Sequence, residues 1–268
     1  MPASNYKNPP IGEVAFGLGF SPLGGLRASH YGLFWNQIRD DFPETDDQLP
    51  LIAPEQLQFG GPFNRYPLPL PRTWYVHRDR NLLIQLQSNR IWLNWRRLGA
   101  NSEYPHFPAL LEAFQKIVGH LRESIRAANV GLLVPAGYEL TYVNHIPLAE
   151  PWARYDEIGR FMRDVSWHQN GRMLPRPQAI GWNANFIVDG IRVVADVKSA
   201  KEQTGEQRSI FVFELRASSI DSAPSTEALA DADFDWYRRA HTVLNNAFED
   251  LTTPEARNDQ WLSTNSTD

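Results

Sequence analysis

The 268-residue chain contains no cysteine, which excludes disulfides and thiolate metal sites and agrees with a reducing compartment. No apolar run reaches the length of a membrane span, and the opening MPASNYKNPPIGEVAF lacks the basic start and long apolar stretch of a secretory signal. A cytoplasmic protein is the expectation. Also missing are a phosphate-binding glycine loop, a nucleophile elbow and a dinucleotide fingerprint. The 7 histidines never fall at the HxxxH or HxH spacings that place two ligands on one face. No metal and no cofactor are therefore expected, and without a catalytic motif the reading leans away from an enzyme.

What is present is a globular composition, with 42% hydrophobic residues, enough for a sizeable core. A net charge of -5 argues against a surface that tracks nucleic acid throughout. The charge is unevenly spread. Between Arg72 and Arg97 six arginines stand against the single acid Asp79, whereas from Asp221 onward ten acids stand against Arg238, Arg239 and Arg257. Either these regions neutralise one another, or the arginine-rich stretch offers a positive surface to an anionic partner.

That stretch holds the strongest pattern in the chain, Leu82 to Arg97. A two-residue turn at Ser88 and Asn89, where Asn tolerates the positive φ of hairpin turns, pairs Gln87 with Arg90, Leu86 with Ile91, Gln85 with Trp92 and Ile84 with Leu93. Strand side chains alternate between faces, so Ile84, Leu86, Ile91, Leu93 and Trp95 form a core face. The other face carries Gln85, Gln87, Arg90, Trp92, Asn94 and Arg96. Arginine forks suit carboxylate or phosphate, and an indole offers a stacking plate. These six residues are the candidate binding surface, set against the plain alternative of a solvated sheet face.

Along the rest of the chain, residues 1–10 read as a loosely held arm. The run from Ile11 reads as a strand with Val14, Phe16, Leu18 and Phe20 on one side and Ala15, Gly17 and Gly19 on the other, a glycine face lying close either to a packed helix or to a ligand. Leu33, Phe34, Ile38 and Phe42 predict a helix that Pro43 ends. A long proline- and acid-rich connection follows, in which Leu51, Ile52, Phe59 and Phe63 predict contact with the body of the protein. Trp74, Tyr75 and Val76 read as an extension of the first hairpin strand. A strong amphipathic helix spans Tyr104 to Ala127, and YELTYVNHIPL is a further strand. This order of strand, helix, two strands, helix, strand predicts an α+β fold whose first half, residues 1–148, is a split βαβ, ferredoxin-like arrangement with helices on one face of an antiparallel sheet.

The second half, residues 149–268, reads as a helix from Tyr155 to Trp167, three strands with a hairpin at Asp189-Gly190, and a C-terminal helix sharing Phe234, Tyr237, Ala240, His241, Leu244 and Phe248. The two halves are expected to pack as one compact unit. The lone His241 reads as a satisfied core residue, and the tail after Pro254 as frayed. Asp196 with Lys198, followed by Glu214 and Arg216, gives two acids on neighbouring strands that suit Mg²⁺ or an ordinary charged sheet face.

The blocks PPIGEVAFG, HYGLFWNQIRDDFP, LIQLQSNRIWLNWRR, YELTYVNHI and AHTVLNNAFEDLTTPEARNDQW together resemble a sporadically distributed, functionally uncharacterised bacterial family of similar length. The positions carrying the resemblance are Phe34, Trp35, Arg39, Gln85, Gln87, Arg90, Asn94, Trp95, Arg96, Tyr142 and Asn144. It implies a patchy occurrence like that of accessory genes in mobile, defence or toxin-antitoxin-like islands, and it supplies no catalytic residues. The expectation is a non-enzymatic interaction protein, a protein partner or neutralising subunit of such a system. The alternatives are nucleic-acid binding or cleavage through the arginine-rich hairpin, and a small-ligand pocket. No membrane partner is expected.

Overall fold

A computed structural model describes residues 6–51, 70–99, 102–149, 153–168, 170–201, 208–220 and 234–262. The expected Ile52, Phe59 and Phe63 contacts lie outside them. Among the described residues nine strands form one antiparallel sheet, and three α-helices accompany it. In chain order the elements are β1 (Ile11–Phe20), α1 (Ala28–Ile38), β2 (Glu44–Gln48), β3 (Arg72–Val76), β4 (Leu82–Gln87), β5 (Arg90–Arg96), α2 (His106–Ala127), β6 (Pro135–Pro147), β7 (Gly181–Val188), β8 (Ile191–Lys201), β9 (Ser209–Ser219) and α3 (Asp235–Leu251). The strand order is β2-β3-β4-β5-β1-β6-β9-β8-β7. The chain divides into two compact units, both discontinuous: Ala15–Tyr138 with Asp221–Phe234, and Met1–Val14 with Glu139–Ile220 and Asp235–Asp268. Their boundaries cut through β1 and β6 rather than falling at residue 148.

In the first of these units the β4/β5 hairpin has the predicted register at every pair, from Gln87 opposite Arg90 to Ile84 opposite Leu93. The turn chemistry differs from expectation. Neither Ser88 nor Asn89 has a positive φ; the turn is held by other bonds, with Gln87 Nε2 donating to Asn89 Oδ1 at 3.1 Å and Phe20 N–H to the Asn89 carbonyl at 2.8 Å. The core face is buried as its pattern requires, with Ile84, Ile91 and Leu93 fully inaccessible. Against that side of the sheet pack α1 through Phe34, edge-on to Tyr75 at 5.4 Å, and α2 through Phe107 and Phe114, each 5.6 Å from Phe16. A Cβ on Gly19 of β1 would lie 3.6 Å from the backbone of Gly137 on β6, its neighbour in the sheet.

Three expectations for this unit are corrected. Trp74, Tyr75 and Val76 do not lengthen the first hairpin strand; they belong to the separate strand β3, antiparallel to β4, because the chain reverses at residues 77–81 with Arg80 in the left-handed region (φ 63°). The connection after α1 contains an edge strand, β2, paired with β3 from Glu44 opposite Val76 to Gln48 opposite Arg72. It has no buried side, so no hydrophobic period marks it. Leu33 faces outward, and Tyr31 takes its place in the buried stripe of α1.

In the other unit, β8 lies between β7 and β9, each antiparallel to it. The β7/β8 turn is Asp189-Gly190 as expected, with φ of 49° and 74°, the pair of left-handed residues of a type I′ hairpin. The helix expected from Tyr155 to Trp167 is only a 3₁₀ segment, Tyr155–Arg160. The carbonyl oxygen of Val165 sits 2.7 Å from where a Cβ on Gly159 would be, so the chain folds back over its own first turn. Helix α3 runs as predicted and stacks Phe248 on Phe213 of β9 at 5.9 Å. Residues 6–8 and 261–262 are also held, against the expectation of a loose arm and a frayed tail. Tyr6 meets Phe248 at 5.7 Å, Trp261 meets Phe248 at 5.1 Å and is buried, and Lys7 and Asn8 N–H groups donate to the carbonyls of Leu262 and Trp261. Aromatic burial of this size outweighs the fraying that the polar composition predicted.

Candidate functional site

The six candidate residues do share one side of the β4/β5 hairpin, but they divide into two groups. Gln85, Gln87 and Asn94 are engaged in internal bonds. The Gln85 carbonyl accepts from Trp74 Nε1 and from Arg72 Nη1, both at 3.1 Å, and its amide donates to Asn94 Oδ1 at 2.9 Å. Gln87 is buried and clamps the backbone of Leu51 in both directions, accepting from its N–H at 3.1 Å and donating to its carbonyl at 3.2 Å. It thereby acts as a strand would, satisfying a donor and an acceptor together. Asn94 is buried as well.

Arg90, Trp92 and Arg96 are half-exposed, and β3 adds Arg72 and Trp74, also half-exposed. The Arg90 guanidinium lies over the Trp92 ring, 5.3 Å from its centroid, and Arg72 lies over Trp74 at 5.5 Å. The surface is thus two arginine–tryptophan stacks flanking an amide network. Sequence patterning leaves both out of this face: Trp74 reads as part of the first hairpin strand, and Arg72 enters only through the run of six arginines from Arg72 to Arg97. Of those arginines, Arg78 meets Asp41 at 3.8 Å and Arg80 pairs with Glu44. Arg72, Arg90 and Arg96 have no carboxylate partner among the described residues, and the Nε of each is buried without a hydrogen bond there. Among the described residues, Arg78 and Arg80 are thus neutralised by acids of the segment after α1.

Replacing Gln85 by leucine is expected to lower stability by about 2 kcal/mol, since the Trp74 N–H and the half of Asn94 it satisfied lose their partners in a partly buried setting. Arg90→Ala is expected to change stability by under about 0.5 kcal/mol, as for other surface positions. Chemical denaturation of the two variants measures the contrast, and equal losses would contradict the division of this face into a scaffold and a presented part.

No protein-family model matches the chain, and no curated protein does. The reading of its chemistry therefore rests on its own residues. Asp196 and Glu214 stand directly opposite each other on β8 and β9. Lys198 approaches Asp196, and Arg216 approaches Glu214, each at 4.0 Å, while Asn183 Nδ2 donates to Asp196 Oδ1 at 3.4 Å. The two like charges are thus each screened by a cation two residues along the same strand. Among the described residues no group of three or more His, Asp or Glu side chains is placed to hold a metal ion, and no helix is long and apolar enough to cross a membrane.

Three of the histidines make structural contacts. His30 Nδ1 accepts the Arg27 N–H at the start of α1 (3.0 Å), and His120 Nδ1 meets Gln37 Oε1 at 2.9 Å between the two helices of that unit. His241 of α3 lies between the Tyr142 hydroxyl, 2.8 Å from Nδ1, and the Asn245 amide, 3.1 Å from Nε2, so both ring nitrogens are satisfied. The same unit holds a groove of about 460 Å³ between the β7/β8 hairpin and α3, lined by Phe186, Val188, Val243, Arg239, Asp164 and Asp250 among others.

Proposed function

We propose that this chain is a non-enzymatic interaction protein that binds a protein partner through the β3–β5 face. The observation that carries the reading is the pair of half-exposed arginine–tryptophan stacks, Arg72/Trp74 and Arg90/Trp92, the first of them bonded to the Gln85–Asn94 amide pair, with Arg72, Arg90 and Arg96 lacking carboxylate partners among the described residues. Tryptophan and arginine dominate the energetics of protein interfaces, and a preset scaffold lowers the ordering cost of binding. Guanidinium groups without a carboxylate among the described residues favour a partner surface that brings one. The family resemblance adds that this partner belongs to a bacterial defence or toxin-antitoxin-like system in the cytoplasm, with this chain as its neutralising or accessory subunit. Under the same reading, β1, α1, β4, β5, α2 and β6 form a split βαβ, ferredoxin-like core to which β2 and β3 are edge additions; the strand order β4-β5-β1-β6 supports it.

Affinity purification of the tagged chain from a bacterial host, followed by measurement with the purified partner, tests this. Arg90→Ala and Trp92→Ala are each expected to weaken binding about thirtyfold, the loss typical of an interface hot spot. A chain that retains no protein, or a partner held equally by both variants, would overturn the reading. Retention of RNA or DNA whose binding falls steeply with salt and is lost in Arg90→Ala would replace it by the nucleic-acid alternative.

A further inference from the structure

The two edges of the sheet are treated differently by the sequence. Edge strand β2 carries Glu44, Asp46 and Asp47, the kind of charge that discourages another strand from adding. Edge strand β7, Gly181–Val188, reads GWNANFIV, with no charge and no proline along its whole length. Its pairing with β8 is continuous for all eight residues, so no bulge turns it away. It is also exposed: Ile187 is 71% accessible and Phe186 is 40% accessible.

The direction of its backbone groups follows from one bond. The Ile180 carbonyl accepts from Ser199 N–H at 3.0 Å, which makes residue 180 and its partner a hydrogen-bonded pair. Such pairs alternate in an antiparallel ladder, so residues 182, 184, 186 and 188 bond inward to β8. The N–H and C=O groups of Gly181, Asn183, Asn185 and Ile187 point outward from the sheet. Among the described residues that is an open row of donors and acceptors, on a strand whose residues are exposed or half-exposed throughout.

Which strand completes that row is written in the order Trp182-Asn183-Ala184-Asn185-Phe186. The segment is palindromic in character about Ala184: aromatic, amide, small, amide, aromatic. An antiparallel pair related by a two-fold axis perpendicular to the sheet through Ala184 sets Asn183 opposite Asn185 of the other copy. It also sets Trp182 opposite Phe186 and Gly181 opposite Ile187. Opposed residues then lie on the same face, as pleating demands. The outward-pointing residues 181, 183, 185 and 187 meet one another, so their N–H and C=O groups are exchanged between copies. Aromatic pairs and amide pairs are favourable cross-strand neighbours, and a two-fold contact requires just such a self-complementary patch. Shifting the register by two residues, to an axis at Asn185, would oppose Trp182 with Val188 and Asn183 with Ile187, losing both matches.

We infer that β7 is the interface of a symmetric dimer, in which a second copy of this chain adds its own β7 antiparallel at the sheet edge, centred on Ala184. This surface is separate from the β3–β5 face and stands whether or not that face binds a partner. The aromatic pair lies beside the groove between the hairpin and α3, since Phe186 lines it. The side of the sheet carrying Asn183 and Asn185 keeps Asp196 and Lys198 one strand further in.

Sedimentation of the full chain over a concentration series is expected to show twice the chain mass at tens of micromolar. Asn185→Pro removes one outward N–H without touching the β8 ladder, and Ala184→Lys sets two like charges on the axis; both are expected to give monomers with an unchanged circular-dichroism spectrum. Because the chain has no cysteine, Ala184→Cys supplies an independent reading. The two Cα atoms of the axial, non-hydrogen-bonded pair would lie about 4.5 Å apart, within disulfide range. Mild oxidation is expected to yield a covalent dimer at least tenfold faster than for Glu112→Cys on the exposed side of α2. A wild-type monomer at all concentrations overturns the proposal. So does a dimer that persists in both Asn185→Pro and Ala184→Lys, or equal cross-linking of the two cysteine variants.

Discussion

Phe16→Ala is expected to lower the unfolding free energy by about 3–5 kcal/mol, the range for removing a fully buried phenylalanine. Phe16 has no accessible surface. Its ring stacks on Phe107 at 5.6 Å and lies tilted against Phe114 at the same distance, and Phe114 in turn meets Phe234 edge-on at 6.3 Å. The site cannot easily collapse after truncation, because the neighbours Phe107 and Phe114 are rigid rings held on the long helix α2. Loss of transfer energy therefore adds to the cost of the cavity. Leu33→Ala is the natural control, since Leu33 is 46% accessible although helical spacing had assigned it to the buried stripe. Its expected effect is under about 0.5 kcal/mol. Denaturant titration of both variants decides the matter: comparable losses would show that the aromatic cluster is not a keystone of its unit.

The same comparison indicates why some of the fold was legible in the residues and some was not. The β4/β5 register could be read because Ile84, Leu86, Ile91 and Leu93 must all be buried together, and a slip of one residue would expose every one of them. The Asp189-Gly190 hairpin could be read because few residue pairs tolerate two successive left-handed conformations. Strand β2 could not be read, since Glu44–Gln48 buries no side chain and its pairing to β3 is a backbone matter. The hold on residues 6–8 and 261–262 was hidden for another reason: Tyr6 and Trp261 are aromatic residues in polar surroundings, and only tertiary structure brings both onto Phe248. The candidate surface shows both cases. Period-two alternation put Gln85 through Arg96 on one side, but the partners that consume Gln85 and Gln87, namely Arg72, Trp74 and Leu51, arrive from β3 and from the segment after β2. Periodicity reports which way a side chain points; it does not report what comes to meet it.

Acidification is expected to destabilise the unit that contains α3 through His241. Burial pushes this imidazole down from its ordinary 6.5 to about 4. The geometry explains the reluctance to protonate. With Asn245 Nδ2 donating to Nε2, the ring proton resides on Nδ1 and is donated to the Tyr142 hydroxyl. A second proton on Nε2 would face the Asn245 donor and charge a ring removed from water. Above the unfolded value neither state binds the proton, so His241 makes no pH-dependent contribution. Between about 6.5 and about 4 the unfolded chain takes a proton that the folded chain refuses, and stability falls as pH falls. Below the folded value both states are protonated and the loss stops growing. Across that window the loss amounts to about 3 kcal/mol. The direct check is the ring proton resonance of His241, which is expected to titrate near pH 4. The thermodynamic check is His241→Gln, which keeps a neutral amide between Tyr142 and Asn245 and is expected to flatten the stability profile between neutral pH and the lower end of that window. A resonance that titrates at the ordinary histidine value, or an equally steep profile in the variant, would assign the acid sensitivity to the carboxylates instead.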